Sequence, residues 1–541
     1  MVILLNQLAN RYRLIWDFTE EKRYTLHPST TDILQQMEQP VMIEVFLAGE
    51  LPSNFKRFQN SIRQTLEQFT IHAGNNIQYR FTDPAQAATA RSRNQFFNSL
   101  INKGLQPSNI TYNKGGEQSK KLVFPSAIVT YMGKEVPVNL LKGNRANSPE
   151  EMLNQSVEGL EYELISGIYQ AQQRSKKRIG LVVGHNEPDS IELAGLTNAV
   201  LSKYDLFRID LPSKRTRITG YDALIIAKPR ESFSRKEKFL LDQYLMNGGN
   251  LIFFIDALSV DITEAEGEGT IAIPFELNLE DLLFRYGVRI NRNYVVDVNC
   301  GTTPVVAGMI GDQPKIELLP WPFFPVITNY SSHPLVKNLD ATWFRFASTL
   351  DTVKATGIKK TPLFLTSQYT KVFSPPVRVR YNDLREKLRP ETFQSGTKNL
   401  GYLLEGRFTS LFKNRFPPAG FQRDKIVENG IDAKVIVVAD GDFIRNEIDL
   451  ESENPLPMGV DPYTKNTYAN ETFLLNALDY MTDDSDLMLA RNKDIKIRPL
   501  DRARIQQQGN LWKWINVGAP ILLVIIFGLV KSVVRKKKYS K

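Results

Sequence analysis

Cysteine is almost absent from this sequence: Cys300 is the only one in 541 residues. An internal disulfide is therefore excluded. A lone thiol without a His/Asn setting reads as a small buried apolar side chain, which leaves the redox compartment open. Histidine is nearly as scarce, and His27, His72, His185 and His333 stand singly, with no metal-ligand spacing. G-x-x-x-x-G-K-[ST], H-E-x-x-H and G-x-S-x-G are missing too. Each of these motifs builds a specific local geometry, so the chain is not itself a P-loop ATPase, a zincin or an α/β-hydrolase. Long-range charge imbalance is also lacking. The formal net charge is +9, but Lys531, Arg535, Lys536, Lys537, Lys538 and Lys541 carry six of the nine, leaving the rest of the chain close to balance. With no basic stripe interleaved with stacking aromatics, nucleic acid is not an expected partner.

What is present is one long apolar run near the end. Residues 514–530 carry no charge, and as a helix they would span about 25 Å, near the lower limit for a bilayer core. Extending the helix through Val534, with Lys531 snorkelling, gives about 30 Å. Trp512 and Trp514 stand where an interfacial aromatic belt belongs, and Arg535, Lys536, Lys537 and Lys538 follow the other end. The expectation is a juxtamembrane linker at 501–511, a transmembrane helix at 512–534 anchored by those residues in the lipid bilayer, and a basic cytoplasmic tail at 535–541. The positive-inside rule then puts everything before Trp512 on the opposite side. At the other terminus "MVILLNQLA" is too short to span and lacks a small-residue cleavage site, so residues 1–27 read as a membrane-proximal segment, the remnant of a transmembrane helix that begins upstream.

A chain of this length exceeds one core. Between its ends the pattern predicts two α/β domains. In the first, at 28–145, a helix starts at Ser29 with Asp32 three residues on. A strand at 41–47, a helix at about 53–69 and a strand in "IQYRFTDP" then make a βαβ unit. Residues 85–121 read as helix-prone and then loop-like, and "SAIVTYMGKEVPVNLL" as a hairpin turning at Met132 and Gly133. The second domain, at 146–500, opens with a helix marked by Ser148 and Glu151. Its apolar strands at 179–183, 206–209, 223–226 and 251–255 alternate with helices and are joined far downstream by 435–438, which argues for a parallel sheet covered on both faces. A large insertion at about 261–429 includes "LPWPFFPVITNYSSHPLV", whose prolines favour docked loop. A helix in "NETFLLNALDYM" and a strand-like "DIKIRPL" close the domain.

If those strands are parallel, Asp256 after "LIFFI", Asp440 and Asp442 after "VIVVA", and His185, Asn186 and Glu187 after "IGLVV" share the sheet edge at which doubly wound folds bind ligands. Three carboxylates there could hold Mg²⁺. Asp and Asn after a strand also cap the next helix or close an Asx turn, and that structural role is the preferred reading. Asp256, Asp440, Asp442, His185 and Glu187 are therefore candidate ligand-binding residues, with no catalytic residue, resident metal or cofactor expected.

The combination of "WDFTEEKRYTLHPST", "FLAGELPSNFKRFQN", "YLMNGGNLIFFID", "ADGDFIRNE", "PLPMGVDPYT" with "YANETFLLNALDYM", and the terminal apolar helix, resembles the gliding-motility-associated ABC-transporter auxiliary family GldG of Bacteroidetes. The resemblance covers nearly the whole chain, with the motifs in order. It implies a subunit of the cytoplasmic (inner) membrane, with its bulk periplasmic and its C-terminus cytoplasmic, working with a separate ABC permease and a cytoplasmic ATPase. It also implies a flavodoxin- or glutamine-amidotransferase-like central domain. No cysteine elbow follows any strand, so glutaminase activity is not expected, and the family's usual N-terminal transmembrane helix is cut to "MVILLNQLA". The leading expectation is a non-enzymatic auxiliary subunit. The alternatives are a solute-binding component with a ligand between the α/β domains or at the strand-end edge, and a metal-dependent enzyme using Asp256, Asp440 and Asp442.

Overall fold

The computed structural model describes residues 25–86, 89–114, 117–142, 149–173, 175–265, 269–310, 313–381, 388–483, 485, 487–492 and 502–539. The stretch at 1–24, Ser148 and "DIKIRPL" lie outside them. The chain divides into two units, Met1–Lys493 and Asp494–Lys541.

The larger unit is mixed α/β. Its first sheet holds β1 (Val41–Val45), β2 (Ile77–Phe81), β3 (Ser126–Tyr131) and β4 (Lys134–Asn139) in the order β2-β1-β3-β4. β1 and β2 are parallel, joined through the helix Ser53–Ala73, and β3 runs antiparallel to β1. The β3–β4 turn forms at Met132 and Gly133, with φ of 48° and 83°. Two positive φ values match the twist of the flanking strands, which is why a hairpin sits there. The preceding helix, Pro28–Gln35, is capped by His27, whose ring accepts from the Ser29 N–H, and not by Ser29. Pro28 supplies a preset φ at the first helical position. Where the sequence reads as loop, Ser108–Lys114 pairs with Glu117–Val123. That ribbon is too polar to show alternation. The sequence places the helix Pro149–Gln172 beyond residue 145, but its Leu153, Leu160, Leu164, Ile165 and Ile168 complete the core of this first sheet.

The second sheet has eight strands: β5 (Arg178–Val183), β6 (Asp205–Asp210), β7 (Ala223–Ala227), β8 (Asn250–Phe254), β9 (Asn329–Tyr330), β10 (Ile358–Leu365), β11 (Asn399–Thr409) and β12 (Asn429–Val438), in the order β9-β10-β11-β12-β8-β7-β5-β6. β6, β5, β7, β8 and β12 are parallel. Ile179, Ile225, Ile252 and Ile436 point into one core with the helices Ala194–Lys203 and Asn470–Thr482. Val182, Leu224, Phe253 and Val437 point into the other, with Arg235–Met246 and Glu280–Tyr286. Burial on both faces explains the uninterrupted apolar runs. The chain leaves β5 for β6 on one side and returns to β7 on the other, so the sheet reverses direction between β5 and β7.

The insertion is more ordered than its prolines suggest. β9, β10 and β11 extend the large sheet in antiparallel sense. Much of the expected docked loop belongs to a 15-residue strand, Gln313–Ile327, paired with Cys300–Ile310. Pro320 and Pro325 flank a register shift in that hairpin, where the ladder is already interrupted.

The smaller unit contains the helix Arg502–Tyr539, with Pro520 inside it. The polar segment expected as linker is thus helical. Ile515–Lys536 is long and apolar enough to cross a membrane, at about 33 Å. Trp512, Trp514, Arg535, Lys536, Lys537 and Lys538 all lie on this helix, and Arg535 and Lys536 are exposed.

Candidate functional site

The parallel strands deliver their following residues to one edge. β7 is followed by Lys228, β8 by Asp256, and β12 by Asp440, Gly441 and Asp442. Lys228 adopts φ 48°, unusual for a residue with a Cβ, and its N–H donates to the Phe254 carbonyl. That conformation points a buried ammonium between two carboxylates: Lys228 Nζ lies 3.0 Å from Asp256 Oδ2 and 2.5 Å from Asp442 Oδ2. Gly441 closes the arrangement. Its N–H donates to Asp256 Oδ1 at 2.6 Å, and a Cβ there would stand 2.6 Å from Lys228 Cγ. The glycine that splits the acidic pair is needed because Lys228 packs against it.

Asp440 does another job. Its Oδ1 accepts from the Asp442 and Phe443 N–H groups and its Oδ2 from the Arg345 N–H, so it caps the short turn Asp442–Ile444 and ties it to a distant segment. Asp442 also pairs with Arg445 at 3.3 Å; Arg345 pairs with Glu447, and Arg445 with Glu192.

The electrostatics follow from burial. Desolvation raises the Asp256 pKa, and burial with Asp256 and Asp442 alongside raises Asp440 well above the usual carboxylate range, against its backbone donors. Burial would raise Asp442 as well, but Lys228, Arg345 and Arg445 hold it below that range. Burial would lower Lys228, but Asp256 and Asp442 outweigh it and keep the amine protonated. A lysine held as ammonium is not a nucleophile.

Asp256, Asp440 and Asp442 present oxygens within 4.8 Å of one another, a spacing that suits a cation. Lys228 already supplies the compensating charge, and a divalent ion would have to displace it.

His185 and Glu187 belong to a different cluster. The His185 ring is buried, stacked at 3.6 Å on Phe233, with Nε2 3.3 Å from Glu237 and Nδ1 3.5 Å from Glu187. Burial opposes its charge, but the two glutamates raise its pKa. Glu187 accepts from the Gly184 and His185 N–H groups, so this cluster fixes the loop after β5.

The edge opens into a cavity of about 760 Å³. Asp256 and Asp442 line it together with Lys228, Arg230, Arg345 and Arg445. Trp321, Phe324, Trp343, Phe346 and Tyr381 form an aromatic wall supplied by the insertion. Sequence reasoning misses all four cations. The available signal is a lysine closing the apolar run "ALIIAK", and an arginine in "FIRNE".

A family described as "ABC-type uncharacterized transport system" matches residues 176–477, and a domain of unknown function matches residues 20–130. An uncharacterized protein of Borreliella burgdorferi (strain ATCC 35210 / DSM 4680 / CIP 102532 / B31) is 22% identical over 416 residues, 74% of each chain. The structure titled "mmIFT52 N-terminal domain" is similar over 56% of this chain and 97% of that one, at 15% identity and a TM-score of 0.31, too low to bear on the argument. Because the match over residues 176–477 takes in more than half of its length, this chain belongs to the auxiliary family of the ABC-type uncharacterized transport system.

Proposed function

We propose that this protein is a non-enzymatic, membrane-anchored extracytoplasmic auxiliary subunit of an ABC transporter associated with gliding motility. The observation that carries the reading is the family match over residues 176–477. The apolar helix Ile515–Lys536 supplies the anchor. The cations Arg535, Lys536, Lys537 and Lys538 favour a cytoplasmic C-terminus, with both α/β domains in the periplasm, the first of them taking in the helix Pro149–Gln172 that completes its core. The second of these is amidotransferase- or flavodoxin-like in this reading, and the gliding association rests on the motif resemblance. The partners are a permease and a cytoplasmic ATPase, since the chain carries no nucleotide-binding motif of its own. The non-enzymatic reading draws on a strand-end cluster whose charges are mutually compensated and whose lysine stays protonated.

Two outcomes test this proposal. The full chain, solubilised in detergent, is expected to copurify with a permease and its ATPase; isolation of the chain alone under conditions that keep those two together would overturn the subunit role. For orientation, a membrane-impermeant maleimide is expected to label Ser213→Cys, at an exposed position, in cells with a permeabilised outer envelope, and Lys541→Cys only after lysis, both in a Cys300→Ser background. The reverse pattern would refute the topology.

The cavity favours a second reading, an extracytoplasmic solute-binding component of the same transporter. Its volume of about 760 Å³ falls in the range of small-molecule sites, and it lies at the strand-end edge where open α/β sheets bind ligands. A metal-dependent enzyme is the least supported reading, because Lys228 already bridges Asp256 and Asp442, two of the three carboxylates it would need.

A further inference from the structure

We infer that the long hairpin of Cys300–Ile310 and Gln313–Ile327 lies flat on the bilayer, with Val306, Met309, Ile316 and Leu318 dipping into the boundary between headgroups and hydrocarbon. This rests on the membrane-anchored reading and adds to it a second, shallow contact with lipid.

Strand alternation sorts the hairpin into two unlike faces. The cross-strand pairs Pro304–Leu318 and Val306–Ile316 stand on one face, and Met309 joins them because its partner position, Pro314, is two residues from Ile316. Val306, Met309, Ile316 and Leu318 are 54%, 64%, 59% and 40% exposed, and no position on that face is charged. The other face carries the pairs Thr303–Leu319, Val305–Glu317 and Gly308–Lys315. Its Val305 and Leu319 pack against the cluster of Trp321, Phe324 and Trp343, while Lys315 and Glu317 pair with each other at 2.8 Å. The base of the hairpin is held: Thr342–Trp343 pairs with Val326 and Ile327, and the Phe344 and Phe346 N–H groups donate to the Pro325 and Phe323 carbonyls. From Trp321 toward the turn, no further strand covers either edge among the described residues. A two-stranded ribbon is marginal in water without a third strand or a packed face, so this arm calls for a cover.

The cover that fits is lipid. Four side chains expose a few hundred Å², against about 800 Å² per partner in a standard protein–protein interface, so the face is too small to hold a second copy by itself. The Lys315–Glu317 pair neutralises itself and faces the other way, which leaves no charge for a partner protein to read. Lipid needs neither a large area nor complementary charge. The helix Ile515–Lys536 already holds the chain at a bilayer in this reading, so a small apolar contact acts at high effective concentration. The backbone limits the depth. The outer edges of the ribbon carry N–H and C=O groups that hydrocarbon cannot satisfy and the headgroup layer can. The side chains therefore reach about 5–10 Å into the headgroup boundary, as interfacial amphipathic helices do.

Spin labelling of the full chain reconstituted into phosphatidylcholine liposomes tests this. A nitroxide is placed on Ile316→Cys or, on the opposite face, on Glu317→Cys, each in a Cys300→Ser background, and its collisions with oxygen, which concentrates in lipid, are compared with those of a water-soluble nickel chelate. The oxygen-to-nickel ratio at Ile316→Cys is expected to exceed that at Glu317→Cys at least threefold, with or without phosphatidylglycerol and at low or high salt. Val306→Asp, at an exposed position, is expected to return the Ile316→Cys label to water and to leave the urea midpoint of the larger unit unchanged. Both labels in water on liposomes that float with the protein would overturn the inference and leave the helical anchor standing. Dipolar broadening between Ile316→Cys labels would assign the face to a second copy, and a requirement for phosphatidylglycerol would assign the contact to charge; either overturns it. A chain that does not float with the liposomes would overturn the anchored reading itself.

Discussion

Lys228→Met is expected to lower the stability of the larger unit by about 3–5 kcal/mol, because it strands buried carboxylates that the ammonium now neutralises. The side chain is 10% exposed and Asp256 and Asp442 are 7% and 12% exposed, so water cannot take over the ammonium's role. Methionine keeps most of the stem, which separates charge from packing. The pH dependence gives the result its signature. In the native chain Asp442 has a depressed pKa, so it contributes stability that is present above the ordinary Asp value and is lost as pH falls through its folded value. Without Lys228, Asp256, already raised by burial, binds its proton more tightly still in the folded state, while Asp442 loses the first of the three cations that depress it. The Asp256 contribution is present at low pH and lost as pH rises. The gap between wild type and variant should therefore be widest near neutrality and narrow toward pH 4, as read from urea unfolding at several pH values. Adding Asp442→Asn to the variant should restore part of the loss. A deficit that does not change with pH, or no recovery in the double variant, would mean that the stem and not the charge matters.

The same cluster shows which parts of the fold are legible in the amino-acid sequence. β5, β7, β8 and the last residues of β12 stand out as "RIGLVV", "ALIIA", "NLIFF" and "KVIVV", because a strand buried on both faces has no polar positions to blur it. The strand-end carboxylates follow from that, since parallel strands must end together. What the sequence hides is long-range pairing. β11 carries Gly401, Gly406, Glu405 and Arg407, and β10 carries Pro362 beside a register shift, so neither has a clean apolar period; they become strands because β12 offers an edge to cover. Lys228 is hidden for the same reason. A lysine after a strand looks solvated until two aspartates from other strands close on it, and its left-handed φ leaves no local trace. The prolines of the aromatic stretch "WPFF" suggest loop, yet its rings form the cavity wall from a strand. Position after β5 groups His185 and Glu187 with the aspartates. The structure keeps them at that end but pairs them with each other and with Glu237.

Phe443→Ala is expected to cost about 3–5 kcal/mol, the range for emptying a buried aromatic site, and to loosen the ionic cluster at the same time. Phe443 is 1% exposed and follows Asp442 directly. Its ring stacks on Phe254 at 5.7 Å and meets Phe344, Phe364 and Phe473 at 5.0, 5.5 and 5.4 Å. These partners come from β8, β10, the segment that carries Arg345, and the helix Asn470–Thr482, so one side chain holds four separate parts of the chain. Its backbone is engaged as well: the N–H donates to Asp440 and the carbonyl accepts from Asn470 Nδ2 at 2.9 Å. A void beneath the turn would let Asp442 move, and the ion pair with Lys228 tolerates little movement because both groups are buried. Phe443→Leu keeps most of the apolar volume and is expected to cost less than half as much. Urea unfolding of the two variants supplies the comparison. If Phe443→Ala lost less than about 1 kcal/mol, below the range for a filled aromatic site, the turn would be held by Asp440 capping alone. The larger loss would establish that the geometry of the acidic edge is set from beneath, by the core, before any ligand or partner acts on it.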